Sequence, residues 1–89
     1  MYYVYVIQSI KDKDFYIGCT NDLRKRLSEH NTGKSVSTIQ RRPFKLIYYE
    51  ALLDKGDAFV REQYLKTGWG RNHLRKTLKR FLSLKNLGG

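Results

Sequence analysis

Arg26 and His30 stand four residues apart in a stretch, Tyr16 to Gly33, that itself opens on a tyrosine. A phenol, a guanidinium and an imidazole delivered by one short segment are groups able to handle a phosphate. On a helix the pair shares one flank. With Leu23 as zero, Leu27 falls at about 40°, Arg26 at about −60° and His30 at about −20°. Both polar residues therefore sit on or beside the apolar stripe marked by Leu23 and Leu27, while Arg24 and Lys25 point elsewhere. A cation aimed at a sheet needs an anionic or hydrogen-bonding partner. Spacing alone favours a structural role, with Arg26 paired to a carboxylate and His30 bonded to a backbone carbonyl.

Three further residue types bear on the same chemistry. Tyr5 and Tyr16 lie in neighbouring apolar runs, and with Tyr3 they share a sheet face only if the register matches. Taken singly, each reads as a core tyrosine with a satisfied hydroxyl. Glu62 is flanked by Ala58, Phe59 and Leu65 at helical spacing. A carboxylate there is costly unless it is paired or holds a metal. It reads either as the partner of Arg26 or as a ligand for one divalent cation. No second carboxylate joins it, so a two-metal site is not expected.

The elements that must position these groups follow from pattern. Tyr2 to Ser9 is aromatic and β-branched almost throughout, a strand buried on both faces. Lys11 to Asp14 is a polar turn, and Phe15 to Thr20 completes a hairpin. Thr20 or Asn21 can cap the next helix, with Asp22 in its first turn and Gly33 closing it. Lys34 to Arg42 lacks an apolar period and reads as an exposed loop. Pro43 opens a third strand, Phe44 to Leu53. Asp54 caps a helix to Thr67, Gly68-Trp69-Gly70 reads as a sharp break, and a last helix starts at Arg71 or Asn72 and runs to about Leu84. Lys85 to Gly89 is expected to fray. The order is strand, strand, helix, strand, helix, helix. Three antiparallel or mixed strands cannot stand alone, so the helices must cover them in an α+β fold.

Composition narrows the partners. With 89 residues, one domain spanning 1–89 is expected, with its core over about 2–80. No run of about 18 apolar residues is present, which excludes a membrane span, and the start lacks a secretory pattern. One cysteine, Cys19, cannot form an internal disulfide, so the chain reads as reduced and cytoplasmic. Eighteen Lys and Arg against eight Asp and Glu give a net charge of +10, which points to a polyanion such as nucleic acid. A merely solubilising charge is the plainer alternative. The basic residues are spread over several elements, which argues against a membrane surface.

These pieces together resemble the GIY-YIG endonuclease superfamily, in particular its small stand-alone bacterial members related to the N-terminal domain of the excinuclease C subunit. The resemblance rests on Tyr3-Val4-Tyr5 in place of GIY, on Tyr16-Ile17-Gly18 as YIG, and on Thr20, Asn21, Leu23, Arg26, Leu27, His30, Asn31 and Gly33 in order. Arg41 to Leu46 and the set Arg61, Glu62 and Lys66 extend it over roughly residues 2–80. The first motif lacks its glycine, Tyr3 standing there, and Asn72 is a loosely spaced candidate for an asparagine after the metal helix.

The resemblance implies a phosphodiesterase acting on DNA, more than on RNA, with one Mg²⁺ or Mn²⁺. It implies action directed by DNA structure, in repair or recombination, by a monomer. Glu62 would hold the metal, Tyr5 and Tyr16 would orient and help deprotonate water, Arg26 would stabilise phosphate charge, and His30 would assist proton transfer or phosphate binding. A tyrosine, with a reference pKa near 10, acts as a base only if cations lower it, and Arg26 and the metal are the cations expected to do so. Lys34, Arg41, Arg42, Lys66, Arg71 and Arg75 are the residues expected to bind the nucleic-acid backbone. The alternatives are a nucleic-acid-binding module without catalysis, and a protein-interaction module with an idle site.

Overall fold

The computed structural model describes the backbone of residues 1–87 and the side chains of residues 1–84. β1 (Tyr2–Ser9) lies at the centre of a three-stranded sheet, between β2 (Phe15–Thr20) and β3 (Phe44–Leu52), and pairs antiparallel with both. The continuous apolar run of β1 has its cause here. Val4, Val6 and Ile7 are fully buried because both faces of a central strand are covered.

The register sorts the side chains. Tyr5 is opposite Gly18 and Ile7 opposite Tyr16 in the β1–β2 pair, while Tyr5 is opposite Tyr49 in the β1–β3 pair. Tyr3, Tyr5, Tyr16 and Tyr49 therefore share one face. That face is closed by α1 (Leu23–Thr32), whose Leu23 and Leu27 pack around Tyr5, Ile7 and Phe44. The other face carries Val4, Val6, Phe15 and Ile17, covered by Ala58 and Leu65 of α2 (Lys55–Lys66) and Leu74 of α3 (Gly68–Thr77). Leu82 of α4 (Lys79–Leu87) packs at the rim of that second core. This is the expected α+β architecture.

Several local expectations are corrected. The cap of α1 is Asp22, whose carboxylate accepts from the Lys25 N–H at 3.1 Å; Thr20 instead holds the preceding turn by accepting from the Asp22 N–H. The 34–42 segment contains a 3-10 turn (Val36–Arg41), so it is an ordered strap. Asn31 ties the strap's far end to α1, accepting the Phe44 N–H at 2.7 Å and donating to the Phe44 carbonyl at 3.0 Å. The last helix is two helices, interrupted at Leu78, and it starts earlier than expected. The backbone of α4 is helical to Leu87, and residues 88–89 of the tail expected to fray lie outside the described residues.

Gly68-Trp69-Gly70 is not a break. It forms the first turn of α3, capped by Thr67, whose hydroxyl accepts from the Gly70 N–H. The glycine is needed for contact: a Cβ on Gly70 would meet the Tyr64 carbonyl and lie 2.5 Å from Leu65 Cα, whereas one on Gly68 would meet nothing within 4 Å. The backbones of the two helices touch at this corner, which leaves no room for a side chain at position 70. α2 is fastened to the sheet by Arg61, which donates Nε and Nη2 to the Glu50 carboxylate of β3 at 2.9 Å, with the Tyr48 hydroxyl donating to the same carboxylate.

Gly70→Ala should therefore destabilise the fold by about 2–3 kcal/mol, lowering the Tm by roughly 10 °C or more. Gly68→Ala should leave the Tm unchanged or slightly higher. Differential scanning fluorimetry of both variants checks this, and equal Tm values would contradict the close α2–α3 corner.

Candidate active site

Tyr5 stands at the middle of the central strand, 2% exposed, with its ring laid across Gly18 of the edge strand. A Cβ on Gly18 would lie 2.5 Å from Tyr5 Cζ, so this ring position requires the glycine that ends Tyr16-Ile17-Gly18. The Tyr5 hydroxyl is 2.8 Å from His30 Nε2, and His30 Nδ1 is 2.8 Å from Thr38 Oγ1. The Thr38 hydroxyl in turn donates, over a long 3.4 Å, to the Ser35 carbonyl. With the Thr38 proton so directed, its oxygen accepts from His30 Nδ1–H. Nε2 is then the acceptor for the Tyr5 O–H. The chain Tyr5–His30–Thr38–Ser35 thus links the central strand, α1 and the strap.

Burial sets the protonation states. His30 is fully buried, and desolvation together with the adjacent Arg26 charge pushes its pKa down to about 4. It is a neutral imidazole at pH 7. Desolvation raises the Tyr5 phenol to about 12, against the opposing pull of Arg26. The Arg26 charge acts in the expected direction, but removal from water outweighs it.

Arg26 reaches the site from α1 and is about one-third exposed. Its Nη1 donates to Glu29 at 3.1 Å and its Nη2 to Ser35 Oγ at 3.3 Å. A part-exposed pair three residues apart on a helix is weak, so the guanidinium keeps capacity for an anion. The Tyr16 ring packs edge-on against His30, centroids 5.0 Å apart, and is half-buried. The structural role foreseen for His30, a bond to a backbone carbonyl, is replaced by bonds to two side-chain hydroxyls.

Glu62 comes from α2, on the opposite side of the sheet. It does not pair with Arg26. Its carboxylate, 14% exposed, takes Lys66 Nζ at 3.0 Å. Burial is the main cause that raises the Tyr5 phenol and the Cys19 thiol, and the Glu62 charge adds to it at both. Tyr5, Tyr16, Arg26 and His30 are thus one cluster on one side of the sheet, and Glu62 belongs to the helix on the other.

The remaining expected residues are dispersed. Lys34 and Arg42 are exposed on the strap, and Arg42 donates to the Ile39 carbonyl. Arg41 is engaged structurally, donating to Asp12 at 2.8 Å and lying over the Phe44 ring. Arg71 is half-buried and Arg75 exposed on α3, the latter over Phe15. Asn72 is exposed on the same helix and is not among the hydrogen-bond partners of Glu62. Tyr3 lies on the Tyr5 face, against Tyr49.

Thr38 and Ser35 were not foreseen. Both sit in a stretch of small hydroxyl residues whose periodicity carries no signal, and only the fold brings them under α1. Glu29 as the partner of Arg26 was legible from its spacing of three.

The family model described as the GIY-YIG catalytic domain matches residues 1–76. A UPF0213 protein of Bacillus pumilus is 44% identical over 71 residues, covering 79% of this chain and 70% of that protein. A UPF0213 protein of Clostridium perfringens is 43% identical over 67 residues, covering 74% and 71%. The solution structure of a UPF0213 protein from Bacillus halodurans is 34% identical and superposes with a TM-score of 0.47, covering 96% of this chain and 86% of that one.

The low pKa of His30 has a consequence for stability. In the unfolded chain it titrates near 6.5, in the folded protein near 4. The unfolded state therefore binds the extra proton first as pH falls, and stability present above pH 6.5 is lost between about 6.5 and 4. The full loss is on the order of 3 kcal/mol. Urea titrations across this range should show a steeper decline for the wild type than for His30→Gln. Parallel curves would mean that the imidazole is not held neutral.

Proposed function

The chain belongs to the GIY-YIG family, on the branch of the UPF0213 proteins, and from that premise we propose that it is a divalent-metal-dependent endonuclease hydrolysing DNA phosphodiester bonds. The observation that carries the reading is a buried phenol bonded to a neutral imidazole and lying within the fields of both Arg26 and Glu62. The basic surface, +10 overall, supplies the attraction for the substrate.

The residues present fit one Mg²⁺ or Mn²⁺. Glu62 is a largely buried carboxylate whose partner is a half-exposed lysine side chain, a pairing that a divalent cation can replace. No cluster of three or more ligating side chains occurs among the described residues, so water and phosphate oxygens would complete the coordination, as is usual for Mg²⁺. When bound, such an ion supplies Lewis-acid charge at the phosphate.

The protein's own groups do the following. Arg26 receives the phosphate, its fork matching two oxygens. The Tyr5 oxygen, whose proton is directed to His30, presents a lone pair to the attacking water. As water attacks phosphorus, its proton passes to Tyr5 while the Tyr5 proton passes to His30 Nε2. Phosphate bound at Arg26 neutralises one of the two causes that hold His30 low, so the imidazole becomes a better acceptor when substrate is present. Thr38 holds the tautomer this requires. Tyr16 packs the imidazole in place.

Nicking of plasmid and branched DNA with Mg²⁺ or Mn²⁺ tests the proposal. Glu62→Ala, Arg26→Ala and Tyr5→Phe should each reduce the rate by about 100-fold or more, and chelation should abolish it. Equal rates for all forms would refute the assignment. Binding without metal-dependent cleavage would favour a non-catalytic nucleic-acid module.

A further inference from the structure

Beside the Tyr5 cluster, on the same sheet face, lies a hollow of about 340 Å³ lined by Tyr3, Asn21, Asp22, Leu23, Arg24 and Tyr49. Tyr49 is the cross-strand partner of Tyr5, and Tyr3 is two residues along β1, a step of about 7 Å. The two rings meet edge-on, with centroids 5.9 Å apart and planes at 66°. Tyr49 is 52% exposed, a large aromatic surface left in water beside a catalytic cluster. Asn21 and Arg24 are exposed at the rim, at the start of α1. The Asp22 carboxylate is occupied with capping that helix.

The chemistry of the lining selects a ligand. A bare phosphate would use Arg24 but leave two phenol rings unused. An aliphatic ligand would fit the rings poorly and strand the amide and the guanidinium. A planar heterocycle with hydrogen-bonding edges uses all of them: rings for stacking, Asn21 and Arg24 for its edge. Tyr3 is also the residue that departs from the glycine of the first motif, so one wall of the hollow is a ring that the motif lacks.

We propose that this hollow is a nucleobase subsite, in which the base of the nucleotide next to the phosphate at Arg26 stacks on Tyr49 and is held at its edge by Asn21. The placement of that phosphate rests on the nuclease reading; the stacking itself does not.

The test separates stacking from charge. Binding of fluorescein-labelled dA12 is compared with that of a 12-nucleotide strand of the same charge in which every residue is abasic, by anisotropy in EDTA at fixed salt. The wild type should prefer dA12 by about 5- to 100-fold, as one stacked base is worth about 1–3 kcal/mol. Tyr49→Ala should lose most of that preference while keeping its affinity for the abasic strand. Tyr49→Phe should retain the preference, which shows that the position folds when substituted. No preference in the wild type, no binding of either strand, or an undiminished preference in Tyr49→Ala overturns the proposal. Because metal is absent, a failure of the nuclease reading would appear separately, as wild-type protein that binds these strands but does not cut DNA with Mg²⁺ or Mn²⁺.

Discussion

The hydrogen bond between the Tyr5 hydroxyl and His30 Nε2 is the interaction on which the site depends. It joins the central strand to α1 where His30 is fully buried and Tyr5 is only 2% exposed. Each group would be costly there alone, since an unpaired buried phenol or imidazole forfeits its bonds to solvent. Satisfying both requires α1 to cross the sheet at this height and the strap to bring Thr38 behind the ring. It also requires a bare backbone at Gly18, over which the Tyr5 ring lies. Strand register, helix placement and strap are thus tied to one polar chain inside an apolar core. Networks of this type contribute specificity when every member is satisfied, and among the described residues no buried side-chain polar atom lacks a partner.

The same burial gives the site its electrostatic character. A base held near pKa 4 and an acid held near 12 do not exchange a proton at rest. Proton movement along the chain therefore waits for an outside charge that changes the balance, and Arg26 is where an anionic substrate would alter it. Glu62, on the helix at the opposite side of the sheet, adds a negative field at Tyr5 that opposes the pull of Arg26.

Much of this was legible in residue order. The uninterrupted apolar run of β1 marked a strand covered on both faces, and the alternation of Tyr3 and Tyr5 required a shared face that the register supplies. The positions of Arg26 and His30 on the stripe of α1 were legible from spacing. What escaped were features decided by tertiary contact. Thr38 carries no local signal, because its role depends on a 3-10 turn folding under the helix. Gly68-Trp69-Gly70 looked like punctuation because glycine is a poor helix former, yet backbone contact at the α2–α3 corner selects it. The depth of burial around Tyr5 also escaped, because a sequence shows which charges are near but not how much water is removed.

The central claim is that a neutral, Nδ1-protonated His30 accepts from Tyr5 and gains basicity when an anion occupies Arg26. Nitrogen-15 NMR of the imidazole, with and without a saturating dinucleotide, tests it directly. The expected result is an Nδ1–H tautomer with a pKa near 4 in the free protein, rising by about one unit or more when the dinucleotide binds. A free-protein pKa at the ordinary histidine value, an Nε2–H tautomer, or a pKa indifferent to the anion would contradict it.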